Sequence, residues 1–577
     1  MTDITITDIS RSRLKKKRQY AARPPYTLPT PWLYLVLIIA AFVVLPVFSL
    51  LWWAFHPTAN IWPHLMSTVL PGAIWQTSML MLGVGLCVLV IGTITAWLVT
   101  MYQFPGHKVL DWMLLIPLAM PTYIIAFCYV ELLDYSGTLQ TSLRFVFGWQ
   151  NAKDYWFPEI RSLGGAIFVM SFVLYPYVYL NARASFIQQS ICVLEVARTL
   201  GHSPLNVFYT IALPLARPAL IAGLVLALME CLNDIGAVEY LGVYTLTVNI
   251  YTTWIERANL PGAAQLASVM LVFVVVLFTI ERKARRGQQY HHTTGHYRML
   301  APQNLNGLKA WIATFICFLP IVLGFILPVT ILIQSSFVFA EDAFTVKFWS
   351  AVQNSFFLSA IAAVIAVSCA VILAYARRVT PTRIIKPAFR IAGIGYAIPG
   401  TVLAVGLLSP LAYFDNTVDD FMRNTFGIST GLILSGSAFA IVLAYSIRFL
   451  VVSTGAVEAG LKRISVNLDA ASRSLGETSY STLKRVHFPM LQPALATAAL
   501  LVFVDAMKEL PATLLLRPFN FDTLATHVYM YASLAQFEEA AFAALTIVVF
   551  GLIPVILLSR TIAVGRVGSF TARKIRP

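Results

Sequence analysis

Long apolar runs recur along the chain, each about as long as a bilayer crossing, and short polar stretches separate them. A spanning helix needs about 20 mostly apolar residues. Twelve stretches qualify. In the first half they are 31–55, 74–100, 109–133, 163–182, 218–240 and 262–280. In the second half they are 308–335, 354–376, 388–412, 429–452, 492–514 and 540–559. The third is broken by Pro117 and Pro121, and the fifth and eleventh carry charges. The pattern predicts an all-α polytopic membrane protein.

The charges fix a sidedness. With both termini placed inside, 33 of the 41 Lys and Arg fall in the inner segments, the bias that orients membrane proteins. The basic stretch Arg11 to Arg18 precedes an apolar run too long for the core of a cleavable signal, so residues 31–55 read as a first span with its N-terminus inside. Composition agrees: 58% of residues are hydrophobic and only 12% charged, against about 25% charged in soluble folds. The net charge of +15 then belongs to inner loops and the anionic leaflet and gives no reason to expect nucleic acid. Six scattered cysteines form no C-x-x-C pair, and His291, His292 and His296 sit in a polar linker. Neither set predicts a disulfide framework or a metal site.

Two inner loops repeat each other. Glu195 to Leu220 reads EVARTLGHSPLNVFYTIALPLARPAL, and Ala470 to Leu495 reads AASRSLGETSYSTLKRVHFPMLQPAL. Arg198, Gly201, Pro214 and Pro218 match Arg473, Gly476, Pro489 and Pro493, each 275 residues on. Gln76-Thr-Ser78 resembles Gln353-Asn-Ser355 at an offset of 277. Two units of six spans therefore stand in tandem and parallel. The expected organisation is a basic inner segment 1–30, a first unit 31–281, a linker 282–307, a second unit 308–560 and a basic tail 561–577. Each repeated loop should form a short helix, a glycine turn with positive φ, and a proline at the start of the next span.

The first loop resembles the EAA loop of type I ABC-importer permeases, with Glu195, Ala197, Gly201, Ile211, Leu213 and Pro214 in the pattern and Val196 replacing one alanine. The second copy keeps Gly476 and Pro489 but has Ala470 at the acidic position, with Asp469 one residue before it. Two copies in one chain resemble a fused permease. The stretches Met229 to Gly242 and Met507 to Asp522 are similar to ferric-iron uptake permeases, with thiamine permeases a second fused type. The resemblance implies that Glu195, Ala197, Arg198, Gly201 and Pro214, with Asp469, Ala470, Arg473, Gly476 and Pro489, seat the chain on two copies of an ATPase subunit. It also implies an extracytoplasmic binding protein, docking on outer loops 134–162 and 415–428, and a place in a bacterial inner membrane. ATP and magnesium would then bind the partner and no cofactor this chain, in keeping with the absence of a G-x-x-x-x-G-K-[ST] phosphate loop.

The charged spans are the candidate path. Glu230 and Asp234 are four apart and share one helix face, and Asp505 and Glu509 repeat them 275 residues on, with Lys508 between. Charges at depth cost about 2.5–3.5 kcal/mol each on insertion scales, so they should face one another, water or the bundle interior. Carboxylates suit a hard cation. The same five residues also suit a gate or structural ion pairs between the units, and none is assigned as a metal ligand. Counted from Pro218, Glu230 would lie roughly 18 Å up its helix, towards the outer side. Tyr175, Tyr177 and Tyr179 could line the same cavity or simply pack. One G-x-S-x-G match, Gly427 to Gly431, lacks the strand–turn–helix setting of a nucleophile elbow. An importer core moving ferric iron fits these features; thiamine or another small solute is the alternative cargo. A twelve-span secondary transporter should carry a charged loop between spans two and three, which Tyr102 to Lys108 does not supply. A passive channel or scaffold leaves the repeated loop unexplained.

Overall fold

A computed structural model describes residues 31–57, 60–189, 203–286, 303–338, 345–379, 384–393 and 395–564. Among these, eleven helices are long and apolar enough to cross a membrane, and a bent pair makes a twelfth crossing. In the first half the main helices are α1 (Pro31–Phe55), α2 (Leu70–Met101), α3 (Thr122–Leu133), α4 (Leu163–Gln188), α5 (Leu213–Asn233), α6 (Gly236–Tyr240), α7 (Leu246–Ile255) and α8 (Leu260–Arg286). The second half has α9 (Leu308–Ile321), α10 (Leu327–Val338), α11 (Val346–Val379), α12 (Gly400–Phe426), α13 (Ala438–Arg463), α14 (Val466–Ser474), α15 (Phe488–Met507), α16 (Pro511–Leu516), α17 (Leu524–Ser533) and α18 (Phe537–Val564). Among the described residues the regular structure is helical, apart from one two-residue strand pair.

Prolines explain where the helices depart from regularity. A proline removes an amide donor and crowds the carbonyl four residues back. Among the described residues four π-helical turns occur, at Leu65–Val69, Phe208–Ala212, Val322–Ile326 and Leu483–His487. Each ends two residues before a proline: Pro71, Pro214, Pro328 and Pro489. In each, the next amide reaches back five residues, as Leu213 does to Phe208 and Phe488 to Leu483. The widened turn interrupts the ladder beside the residue that could not have joined it. The spans after the repeated loops thus begin earlier than expected. They run from Leu205 and Ser479, with Pro218 and Pro493 inside their helices. A depth for Glu230 counted from Pro218 therefore has the wrong origin. The third span is the bent one: His107–Ala119 and Thr122–Phe147 meet at 92°, the break falling beside Pro121 as the sequence suggested.

The two halves exchange their first spans. α1 packs on α11 and α12 of the second half, and α10 packs on α3 of the first. The contacts are close. A Cβ on Gly406 of α12 would fall 2.3 Å from the Pro46 carbonyl oxygen in α1, so only glycine admits this approach, as at many packed membrane helices. Trp53 Nε1 donates to Ser409 Oγ across the same contact. On the opposite side Tyr129 Oη donates to the Leu323 carbonyl at 2.8 Å.

N-cap serines set the register of the repeat. Ser162 and Ser437 cap α4 and α13 through their side chains, 275 residues apart. Thr77 Oγ1 accepts from the Leu246 amide and Ser355 Oγ from the Leu524 amide. The structurally equivalent pair there is Thr77 and Ser355, one residue off the alignment of Ser78 with Ser355. After the linker, Gln303–Asn304 pairs in parallel with Tyr102–Gln103, which ties the start of the second half to the loop between spans two and three.

Three segments read as loops are structured. α7 and α17 are helices between spans five and six and between spans eleven and twelve, with Leu246, Ile250, Leu524 and Val528 fully buried. Residues 415–426 extend α12, and Gly427 caps it at φ +69°. The G-x-S-x-G segment is the turn that follows, where Asp419 Oδ1 accepts from Ser429 Oγ and the amides of Thr430 and Gly431. The described cysteines are free thiols. Cys192, the three linker histidines, residues 1–30, most of the linker and most of the tail lie outside the described residues.

The close approach of α1 to α12 is testable. Gly406→Val should overpack the contact and destabilise the protein by about 1–3 kcal/mol. Gly455→Ala in α13, where a Cβ meets nothing within 4 Å, should gain up to about 1 kcal/mol. Thermal unfolding in detergent reads both, and equal effects would refute the exchanged packing.

Candidate functional site

All five charged residues picked from the spans line one cavity of about 100 Å³ between the halves. Their helices stop there. α5 ends at Asn233, with Asp234 extended at ψ 132°, and α6 restarts at Gly236. In the second half α15 ends at Met507 and α16 restarts at Pro511. A helix start exposes amides, and in a membrane interior each must find a partner inside the protein.

Two of the acids supply it. Asp234 Oδ1 accepts the Ala237 amide at 2.8 Å, and Glu509 Oε1 accepts the Ala512 amide at 3.1 Å. Both carboxylates are buried, 7% and 5% exposed. Carboxylates at helix N-termini also meet the positive end of the helix dipole. The i,i+4 pairs are therefore split in role. Asp234 and Glu509 hold the restarted helices, while Glu230 and Asp505 are only half-buried and turn to the cavity. Glu230 Oε1 accepts from Tyr396 Oη at 2.5 Å, and Lys508 Nζ lies 2.9 Å from Asp505 Oδ1.

The cavity also holds a cation that sequence reading placed elsewhere. Arg448 falls near the inner end of the span expected over 429–452, among the basic residues that the charge bias assigns to the inner side. The helix is α13, and Arg448 lies in its interior at 4% exposure. Its Nη1 donates to Asn233 Oδ1 at 2.7 Å and sits 3.4 Å from Glu509 Oε1. Asn233 Oδ1 also accepts the Gly400 amide at 2.6 Å. A Cβ at position 400 would be 2.7 Å from both Arg448 Nη1 and Glu509 Oε1, so glycine leaves the room they fill. In the other half the Thr122 hydroxyl donates to Asp234. Asn233 carried no sequence signal beyond its place beside Asp234, and Arg448 none once counted with the inner-side charges.

The cavity walls are equivalent in position but not in chemistry. In the register of the N-cap serines, Val173 corresponds to Arg448 and Leu174 to Phe449, and all four line the cavity. Leu118 likewise precedes Pro121 as Tyr396 precedes Pro399. The acids are paired about the interface, whereas Arg448 and Tyr396 face apolar residues, Val173 and Leu118, at the matching places of the first half. Of the three tyrosines in α4, Tyr177 lines the cavity and Tyr175 and Tyr179 are packed at 0% exposure. Tyr179 Oη donates to Asp111 Oδ1 at 3.0 Å, and Arg183 forks onto the same carboxylate at 2.5 and 2.7 Å. Arg183 too is thus a buried partner rather than a free inner-loop charge. No group of three or more His, Cys, Asp or Glu is arranged to hold a metal ion among the described residues.

Of the repeated loops, the second is described. α14 ends in a glycine turn. Gly476 has φ +80°, its amide reaches the Arg473 carbonyl at 3.0 Å and the Glu477 amide the Ser472 carbonyl at 3.1 Å, the pairing of a Schellman cap. Asp469 faces its own half. Arg378 donates to it from Nε and Nη2 at 2.9 and 2.6 Å, and His487 Nε2 lies 2.6 Å away. Partial burial pushes the Asp469 carboxyl up, but the hydrogen bonds from Arg378 and His487 outweigh it and hold the group below its usual range. Thr100 and Ala212 occupy the corresponding positions in the first half and offer no such charge. Ala470 and Arg473 are exposed, as are Val466, Leu475 and Tyr480. Pro214 and Pro489 follow their π turns in the opening turns of α5 and α15. Glu195, Ala197, Arg198 and Gly201 lie outside the described residues.

Two outcomes follow for this loop. Gly476→Ala should cost about 1–2 kcal/mol of local stability through its left-handed backbone, seen as faster amide exchange over residues 466–482. A carboxyl held below its usual range stabilises the fold above that range and loses the contribution as pH falls through its own lowered pKa. Exchange in α14, corrected for intrinsic rates, should therefore stay flat from pH 7 until below the ordinary aspartate value of 3.8 and then accelerate. Acceleration already at pH 6 would show that Asp469 is not the anchor.

Residues 88–286 match the family of binding-protein-dependent transport system inner membrane components. The Fe(3+)-transport system permease protein FbpB 2 of Haemophilus influenzae is 28% identical over 84% of this chain and 89% of its own length. The ferric transport system permease protein FbpB of Actinobacillus pleuropneumoniae is 24% identical over 70% of this chain and 58% of its own. The sulfate transport system permease protein CysT of Salmonella typhimurium is 28% identical over 33% of this chain and 68% of its own. Names for iron and for sulfate both occur among these relatives, so family alone does not give the cargo. Residues 88–286 thus match the inner-membrane permease domain of binding-protein-dependent transport systems, within a chain of multiple membrane-crossing helices that is similar over most of its length to permeases of ferric-iron transport.

Proposed function

We propose that this permease imports ferric iron, handed over by an extracytoplasmic binding protein, through the cavity between its two halves. The observation that carries the cargo is the cavity's charge: four carboxylates against one arginine and one lysine. Such a lining attracts a hard cation and repels sulfate, and it agrees with the ferric relatives. Glu230 and Asp505, one from each half, cap no helix and would meet the ion by exchanging their contacts with Tyr396 and Lys508. They guide it without a closed ligand set, which suits a protein that must also release its cargo.

The two units, residues 31–281 and 308–560, would rock about the cavity to give alternating access. Two copies of an ATPase subunit would drive them, with ATP and magnesium bound there and no cofactor on this chain. In this reading α14, with its exposed Val466, Leu475 and Tyr480, is one seat for the ATPase, and the loop holding Glu195 and Gly201 is the other. Asp469 does not serve as the acid that faces the partner, since Arg378 and His487 engage it. Both termini would lie in the cytoplasm, the side to which the charge bias assigns them. The binding protein would dock on the outer face about residues 134–162.

The test is uptake of labelled ferric iron by vesicles holding the permease, its ATPase and its binding protein. Wild type should take up iron with ATP, and Gly201→Asp with Gly476→Asp should abolish it. Glu230→Gln with Asp505→Asn should cut uptake at least tenfold while ATP hydrolysis stimulated by the binding protein persists. Uptake of thiamine or sulfate in place of iron would overturn the cargo, and uptake indifferent to the loop changes would overturn the ATP coupling.

A further inference from the structure

We propose that Arg448 and Asn233 form a latch between the halves, in which the guanidinium stands in for the cargo cation among the cavity acids. This rests on the cation reading of the cavity and adds how the cavity is kept shut and neutral.

Asn233 belongs to the last turn of α5, and Arg448 and Gly400 belong to the second half. One side-chain oxygen, Asn233 Oδ1, accepts from both, at 2.7 and 2.6 Å. The same Arg448 nitrogen reaches Glu509. All three side chains are at least nine-tenths buried, so water does not compete for these bonds. Arg448 Nε is buried without a hydrogen-bond partner, and so is Tyr123 Oη on the facing wall. The guanidinium is thus held through Nη1 alone, shared between Asn233 and Glu509, and its Nε is unspent. A group so placed is costly to leave and simple to displace, because a stronger cation can satisfy the acids that it serves incompletely.

The lack of symmetry supports the assignment. A purely structural neutralisation of paired acids would call for a base in each half. Val173 occupies the equivalent site in α4, and the lone arginine instead reaches across to the other half. Separation of the halves parts Asn233 from Arg448 and Gly400 together. Glu230 and Asp505 then face a cavity from which the guanidinium has been withdrawn and in which Lys508 is the cation left, and a hard multivalent cation takes the place of the guanidinium. Closure reverses the exchange, the returning guanidinium helping to expel the cargo.

The experiment is basal ATP hydrolysis by the assembled complex in vesicles, without binding protein, run beside ferric-iron uptake. Asn233→Leu removes the shared acceptor, and Arg448→Lys keeps the charge but not the fork. Each should raise basal hydrolysis at least threefold, and the double variant should add little to either. Asn233→Asp keeps the acceptor and makes it an anion, so basal hydrolysis should fall below wild type at unchanged thermal stability. Opposite shifts from two substitutions at one position separate a latch from misfolding. Unchanged basal hydrolysis in Asn233→Leu and Arg448→Lys at normal stability would overturn the latch, and so would fully additive effects. If wild type takes up no iron but the three variants shift hydrolysis as stated, the latch stands and the cargo assignment falls. If iron uptake is sound and the variants behave as wild type, the reverse holds.

Discussion

Two helices stop inside the bundle, and the amides exposed where they restart must be answered there. That constraint organises the centre of the molecule. A carboxylate is a strong acceptor short enough to turn back onto the next helix start, so Asp234 and Glu509 are committed to Ala237 and Ala512. Burying them creates a need for nearby donors. Thr122 meets it in one half and Arg448 in the other. Gly400 follows in turn, since a larger residue would occupy the space that Arg448 and Glu509 share. The acids one helical turn earlier, Glu230 and Asp505, carry no such duty, and transport chemistry can fall to them.

Much of this was legible in the sequence. Apolar run length gave the crossings, because a bilayer imposes one dimension on every span. Spacing of four gave the shared face of Glu230 with Asp234 and of Asp505 with Glu509. The 275-residue offset paired them across the halves, and positive φ at Gly476 followed from its place after a short helix. What was not legible has physical reasons. A base near the inner end of an apolar run reads as one more inner-side charge, which hid the role of Arg448, whose partners, Asn233 and Glu509, are 215 and 61 residues away. α7 and α17 are ten-residue helices rich in Thr and Tyr, too short and too polar to register as spans, and buried only because larger helices cover them. The exchange of α1 and α10 between halves is a wholly long-range property. No local pattern announces it.

Duplication has left the two halves alike in backbone and unlike in charge. The π turn after each repeated loop, the N-cap serines and the capped helix restarts recur in both. Arg448, Tyr396 and the clasp of Asp469 with Arg378 and His487 have no like residue at the matching places of the first half. A single chain can hold such differences at fixed positions, whereas two identical copies about a true two-fold axis could not. The second half carries the groups that hold, and the first offers the acceptor they hold to.

The exchanged first spans also bear on how the chain is made. Trp53 of α1 meets Ser409, 356 residues later in the chain. Synthesis at about 5–20 residues per second leaves α1 in the bilayer for roughly 20–70 seconds before its partner helix exists. During that time its glycine-matched face must rest against lipid or an insertion chaperone. The first span, which also packs on α8 of its own half, therefore gains its contact with α12 only once the second half is being made.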